Sequence, residues 1–313
     1  MKKKPLLLYL DIPFCPVHCR HCLKPALPPL LEKRRAYLQA LRREAESSAG
    51  SMEDYEVQAV WVGGGIAGHM ADEELGELLR QLPRWFPFAE EAEITLKVHP
   101  GMVGAETRKA CHLGGVTRIS VEYVTKSPFE SEALERFLNP AAMDVTKMVL
   151  NGSPFAQSFD VVAGLPGQTK VSLTESLQAV LAYGAGHISL YPLRPEKESA
   201  LWREWREKEE ELQKNPRRRL AEAAERTELV KAGGCFLQER GLREYLPGHW
   251  ALSGKECRYF QLERAGTECL AFGLGAVSCL EGVRSWNTTD LAVYLRHSAE
   301  PGRIICRTQR TDP

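Results

Sequence analysis

Three cysteines fall within eight residues in the run Cys15-Pro-Val-His-Cys19-Arg-His-Cys22, spaced C-x3-C-x2-C. Thiolates this close cannot brace separate elements, so they are read as wrapping one object. A zinc site normally closes a tetrahedron with two separated ligand pairs. No second pair is present, since Cys235, Cys257, Cys269 and Cys279 are scattered. His18 or His21 could supply a fourth zinc ligand, and that reading stays open. On a cubane iron–sulfur cluster, three thiolates leave one iron without a protein ligand, and a small molecule can bind there. A second run, Trp61-Val62-Gly63-Gly64-Gly65, ends in three glycines. Glycine at a strand end lets backbone approach a ligand where a side chain would block it, although a tight turn explains the glycines equally well.

Both runs follow short apolar segments. Strand candidates are Leu6–Ile12, Val57–Val62, Glu93–Val98, Thr117–Tyr123, Phe159–Ala163 and Ile188–Tyr191. Helix candidates alternate with them at Leu31–Ser47, Asp72–Leu82, Ala105–Leu113, Ser131–Leu138, Ser172–Tyr183 and Ala200–Gln213. In the first helix Leu31, Leu38, Leu41 and Ala45 share a face, while Lys33, Arg34, Arg42 and Arg43 face water. Asp72 reads as an N-cap ahead of Leu75, Leu78 and Leu79. A βα unit taken about six times predicts an α/β fold with a parallel sheet, wound open or curled into a barrel. The loops after the strands then build the site at a common mouth. Residues 201–226 are dense in charge of alternating sign. They read as a solvated helix pair broken near Asn215–Pro216, followed by Gly233–Gly234, a strand-like segment at Tyr245 and a glycine-rich stretch. The end, Arg303 to Pro313, reads as frayed.

The chain has 313 residues, with Lys plus Arg 41 and Asp plus Glu 41. Zero formal net charge gives no electrostatic case for nucleic acid as a partner. No apolar run is long enough for a membrane span. Lys2, Lys3 and Lys4 precede an apolar run as in a secretory signal, but Asp11 and Pro13 interrupt it, so the protein is expected in the cytoplasm. Nine cysteines, an odd number at uneven spacing, argue against a disulfide framework.

The cysteine and glycine loops together resemble the radical S-adenosylmethionine superfamily. The order of LYLDIPFCPVHCRHC, VWVGGGIAG, EITLKVHP, GGVTRISVEY, FDVVAGLPGQT, ISLYPL and AFGLGAVS is similar to that of the oxygen-independent coproporphyrinogen III oxidase-like family. The resemblance runs from about Leu6 to Leu295, and the segment from His249 to Ala276 looks most like the anaerobic haem-utilisation branch. It implies a partial (β/α)6 barrel over 1–198 and a C-terminal α+β extension over 199–313, shortened relative to the family. It implies that Cys15, Cys19 and Cys22 hold a [4Fe–4S] cluster whose open iron chelates the methionine end of S-adenosylmethionine. Gly63, Gly64 and Gly65 would contact that end. Tyr9, His21 and Asp160 would help seat the nucleoside. The implied activity is reductive cleavage of S-adenosylmethionine, with the radical acting on a tetrapyrrole, haem or coproporphyrinogen-like. Electrons would come from a donor such as flavodoxin or ferredoxin. The alternative is a haem carrier of the same family without turnover.

Several positions depart from the family pattern. Lys97 stands where the third-strand motif carries a glutamate. Ile66-Ala67-Gly68 replaces Thr-Pro-Ser, Val124 replaces a glutamine, and Asn139 aligns with an arginine. Lys24 stands at the oxidase branch's fourth cysteine, and Tyr259 to Arg264 lack the chaperone branch's His-Asn haem motif. His99, His187 and His249 are candidate axial ligands of haem iron, His249 foremost, and Arg194 could meet a propionate. Hydrogen-bonded histidines and a surface ion pair explain these residues too. Cys111 reads as a small core residue, and Cys269 and Cys279 lie too far apart in sequence to argue as ligands.

Overall fold

A computed structural model describes residues 3–15, 18–65, 72–135, 140–215 and 218–310. The readings placed on Pro16, Ile66, Ala67, Gly68 and Asn139 lie outside these residues.

The first half alternates strand and helix. It runs β1 (Lys4–Ile12), α1 (Leu31–Ser48), β2 (Tyr55–Gly64), α2 (Glu73–Trp85), β3 (Phe88–Val98), α3 (Ala105–Leu113) and β4 (Arg118–Val124). Then come α4 (Pro128–Glu132), α5 (Pro140–Leu150), β5 (Ala156–Ala163), α6 (Lys170–Ala182) and β6 (His187–Pro192). The remainder comprises α7 (Ala200–Glu207), α8 (Glu209–Lys214), α9 (Ala223–Gln238), β7 (Arg243–Leu246), β8 (His249–Ala251), α10 (Arg258–Arg264) and β9 (Glu268–Phe272). It closes with β10 (Val277–Leu280), β11 (Val283–Asn287), α11 (Leu291–His297), α12 (Pro301–Ile304) and β12 (Ile305–Arg310).

β1 to β6 pair in chain order and in parallel. β9 adds to the free side of β1 in parallel, and β8 adds to β6 antiparallel. The result is one twelve-stranded sheet, ordered β12-β11-β10-β9-β1-β2-β3-β4-β5-β6-β8-β7. Side chains alternate across it. Leu6, Leu8, Leu10 and Ile12 enter the apolar layer that also holds Leu38 and Leu41 of α1. Leu7 and Tyr9 lie on the opposite, inward face with Ala59, Trp61 and Tyr259. Asp72 does cap α2, accepting from the Leu75 N–H at 3.3 Å.

Several elements differ from the sequence reading. Leu31 is 53% exposed and does not share the buried face of α1. Glu44 is buried on that face instead, accepting from Tyr294 Oη, Asn287 Nδ2 and the Gly273 N–H. The helix read at Ser131–Leu138 begins at Pro128 and ends at Glu132, and α5 is a further helix. Ala200–Gln213 divides in two at Lys208. The pair Gly233–Gly234 does not interrupt structure but lies inside α9. A Cβ there would stand 2.7 Å from Leu190 Cδ2 or 2.6 Å from Trp250 Cζ2, so only glycine lets the helix sit this close to β6 and β8. The expected frayed end is β12, paired antiparallel with β11 over residues 305–310.

Candidate functional site

The inward face has two polar ends. At its floor, where β3 to β6 begin, Arg118 donates to Glu93 Oε2 at 2.9 Å, Ser158 Oγ at 2.9 Å and the Lys255 and Glu256 carbonyls at 3.2 and 2.6 Å. Cys257 Sγ donates to Glu93 Oε1 at 3.1 Å. His187 Nε2 meets Tyr245 Oη at 2.8 Å. Burial pushes the His187 imidazole down to about 2, with Arg118 and His249 adding to the effect, so it is neutral at pH 7.

At the mouth, the chain leaves β1 through Pro13 and Phe14 into the cysteine loop. That loop is pinned at its base: Cys15 N–H donates to Leu27 O at 3.1 Å and Leu27 N–H to Pro13 O at 2.7 Å. Its middle is held by Arg20. The Arg20 N–H donates to Leu134 O at 3.2 Å, and its carbonyl accepts from Leu201 N–H at 2.9 Å. The Arg20 guanidinium pairs with Glu135 at 3.4 Å and with Glu204. Cys15, Cys19 and Cys22 are half-buried on this loop. Burial pushes the Cys22 thiol up, while the Lys24 N–H, 3.4 Å from Cys22 Sγ, pulls it back. Among the described residues no three His, Cys, Asp or Glu side chains converge on one point where a single metal ion would sit. A cubane binds each thiolate through a different iron, so its ligands need not converge in that way.

The three glycines end β2 beside this loop. Gly64 has φ +98°, a conformation open to glycine. A Cβ on Gly65 would lie 2.9 Å from Cys15 Sγ and 2.8 Å from the Ile12 and Phe14 carbonyls, and one on Gly64 would lie 2.3 Å from Asp11 Oδ1. The Gly65 N–H donates to Ile12 O at 2.7 Å. The two loops read as separate features of the sequence are thus in contact.

Charge gathers on the strand ends around them. Tyr9 Oη donates to Asp11 Oδ2 at 3.2 Å, and Lys24 Nζ donates to Tyr9 Oη at 3.2 Å while lying 4.0 Å from Asp11 Oδ2. Burial raises the Asp11 carboxyl to about 6 against the opposing pull of Lys24. Lys97 points inward, with Nζ 3.3 Å from Glu122 Oε1 and 3.5 Å from Asp160 Oδ2. Burial raises the Asp160 carboxyl and Lys97 lowers it. Val124 takes φ +68°, rare for a β-branched residue. Its side chain is buried with Leu134, Leu165, Leu193, Leu201 and Leu220.

Of the remaining candidates, His21 alone lies on the cysteine loop. His249, on β8, stacks on Phe260 with centroids 4.3 Å apart, and its Nδ1 meets Ser189 Oγ at 3.3 Å. Burial lowers it to about 4. With Phe260, Glu263 and Arg264 it lines a cavity of about 390 Å³. Arg194 is exposed in the loop after β6. His99 Nδ1 meets Pro100 O at 2.7 Å. His21 is half-buried within the cysteine loop. Cys111 is fully buried, as a core residue would be. Sequence reasoning missed Asp11, Glu122 and Arg20 as members of the site. The available signals were an acid inside an apolar strand, an acid in register with the inward residues of its neighbours, and a base between two cysteines.

An open parallel barrel whose first loop carries C-x3-C-x2-C against a triglycine turn has the architecture of radical S-adenosylmethionine proteins. No protein-family model matches the chain. It is 29% identical over 300 residues to a protein of Mycobacterium tuberculosis (strain CDC 1551 / Oshkosh) named "Heme chaperone HemW", covering 94% of this chain and 74% of that one. It is 27% identical over 292 residues to "Anaerobilin synthase" of Escherichia coli O157:H7, spanning 92% of this chain but 64% of that protein. Its fold matches coproporphyrinogen III oxidase (HemN) from Escherichia coli, a radical SAM enzyme, with a TM-score of 0.80 at 20% identity over 100% of this chain and 73% of that one. The chain thus has the fold of HemN and is similar in sequence, over nearly its whole length, to proteins named HemW and anaerobilin synthase. No helix among the described residues is long and apolar enough to cross a membrane.

Proposed function

We propose that this chain is a radical SAM enzyme of anaerobic haem utilisation, acting on haem or a related tetrapyrrole. The observation that carries the reading is the seat of Gly65 against Cys15 Sγ, a cradle that a single Cβ would fill. Three thiols on one pinned loop form a donor set that suits a cubane cluster. Cys15, Cys19 and Cys22 would hold it. When bound and reduced by a donor of the flavodoxin or ferredoxin class, the cluster supplies the electron that splits a sulfonium C–S bond of S-adenosylmethionine. The chain's own residues would bind and orient. Gly63, Gly64 and Gly65 admit the methionine end, Tyr9 and Asp160 seat the nucleoside, and His21 lies beside it. Asp11 fixes the Tyr9 hydroxyl. His249, neutral at pH 7, is the candidate for meeting tetrapyrrole iron, and Arg194 for meeting a propionate.

A second reading, a haem carrier without turnover, is favoured by Lys97. Its ammonium already occupies Glu122 and Asp160, carboxylates that a ligand's polar groups would otherwise reach. Anaerobic reconstitution followed by a deoxyadenosine assay with and without haem separates the two. Deoxyadenosine formation stimulated by haem supports the enzyme. One haem bound per chain, with an intact cluster and no deoxyadenosine under strong reductant, supports the carrier. A chain that takes up no iron and sulfide under these conditions overturns both.

A further inference from the structure

Two cysteines that are ten positions apart in sequence are brought face to face. Cys269 lies in β9 and Cys279 in β10, and each is the other's partner in the antiparallel pairing of those strands. Directly opposed residues on antiparallel strands project from the same face. Their Cα atoms stand roughly 4.5–5.5 Å apart, within the span of roughly 4.4–6.8 Å that a disulfide bridges. Among the described residues no other cysteine faces a cysteine across a strand pair. Both thiols are half-buried, so small reagents reach them. Burial pushes the Cys269 thiol up to about 11, and the adjacent Cys279 adds to that rise. Tyr259 Oη lies 3.7 Å from Cys269 Sγ.

We infer that Cys269 and Cys279 form a cross-strand dithiol that closes reversibly to a disulfide when the chain meets a peroxide. In the balanced step the two thiols give up two electrons and two protons. The sulfurs join, the O–O bond of hydrogen peroxide breaks, and two waters leave. A dithiol reopens the bond by exchange. This site is separate from the cysteine loop. The hairpin it staples carries Gly273, whose N–H donates to Glu44 at 2.9 Å and where a Cβ would lie 2.8 Å from Asp11 O.

The sequence provides a clean readout. Trypsin releases residues 265–284 as one peptide, from after Arg264 to Arg284, and Cys269 and Cys279 are its only cysteines. The intact folded chain is treated with hydrogen peroxide, alkylated with iodoacetamide, and mapped by mass. The expected result is that this peptide is lighter by two hydrogens, unalkylated, and restored to two alkylatable thiols by dithiothreitol. Closure in the folded chain should be about tenfold or more faster than in the urea-unfolded chain, because the sheet prealigns the sulfurs. Independent alkylation of both thiols, their separate oxidation to sulfinic acid, or equal rates folded and unfolded would overturn the inference.

Discussion

The floor and the mouth of the inward face both bury charge, and they do so differently. At the floor Arg118 has a side chain 4% exposed, and its partners come from β3, β5 and the segment before α10. The charged groups of the Arg118–Glu93 pair are answered by other parts of the chain, as a buried ion pair requires. At the mouth Lys97 and Glu122 remain 24% and 25% exposed, Asp11 sits behind Lys24, and the neighbours are loops. Inward charge alone therefore does not mark a site. It marks one where the charges stand at strand ends and solvent still reaches them.

The largest expected effect is at the mouth. Cys15→Ser should lower the iron and sulfide of the reconstituted chain from about four each to none, with the urea melt little changed. Retention of the cluster would remove the distinction. At the floor, Arg118→Met should cost about 3–5 kcal/mol by leaving Glu93 buried and unpaired. A loss below about 1 kcal/mol in urea titration would show that the floor is not a structural member. The two ends should also respond oppositely to pH. The folded His187 is held far below its ordinary 6.5, so the unfolded chain binds more protons. Stability should fall as pH drops through about 6.5 toward 2. Asp11 is raised from 3.8 to about 6, so its contribution is present below about 4 and is lost as pH rises through 6. The swing is of the order of 2–3 kcal/mol. The stability of Asp11→Asn relative to the parent should therefore rise by about 2–3 kcal/mol between pH 4 and 7 in urea melts, and His187→Phe should flatten the acid limb. The smallest effect belongs to Lys24→Met. With the lysine side chain 52% exposed, stability should move by less than about 1 kcal/mol.

β1 to β6 were legible because short apolar runs with turn residues between them leave few alternatives, whereas β9, parallel to β1 from the far end of the chain, was not. Candidate-site residues could be nominated from sequence where chemistry is local, as with cysteines three and four apart or adjacent glycines. The rest depended on partners distant in sequence. Asp11 reads only as a break in an apolar run until Tyr9 and Lys24 close around it. Whether Lys97 points inward is set by the register of β3 against β4, which no local pattern states. Cys269 and Cys279 look unrelated until β9 and β10 pair. Glycines misled where their use was close packing, as at Gly233 and Gly234, and polar residues misled at the chain's end, where β12 is exposed along its length.

The glycine pair in α9 has a consequence for motion. Each glycine weakens a helix interior by about 1 kcal/mol relative to alanine, so α9 owes its persistence to the Leu190 and Trp250 surfaces it rests on. Its amide protons should therefore exchange together with those of β8, as one cooperative unit, rather than on a schedule of the helix's own.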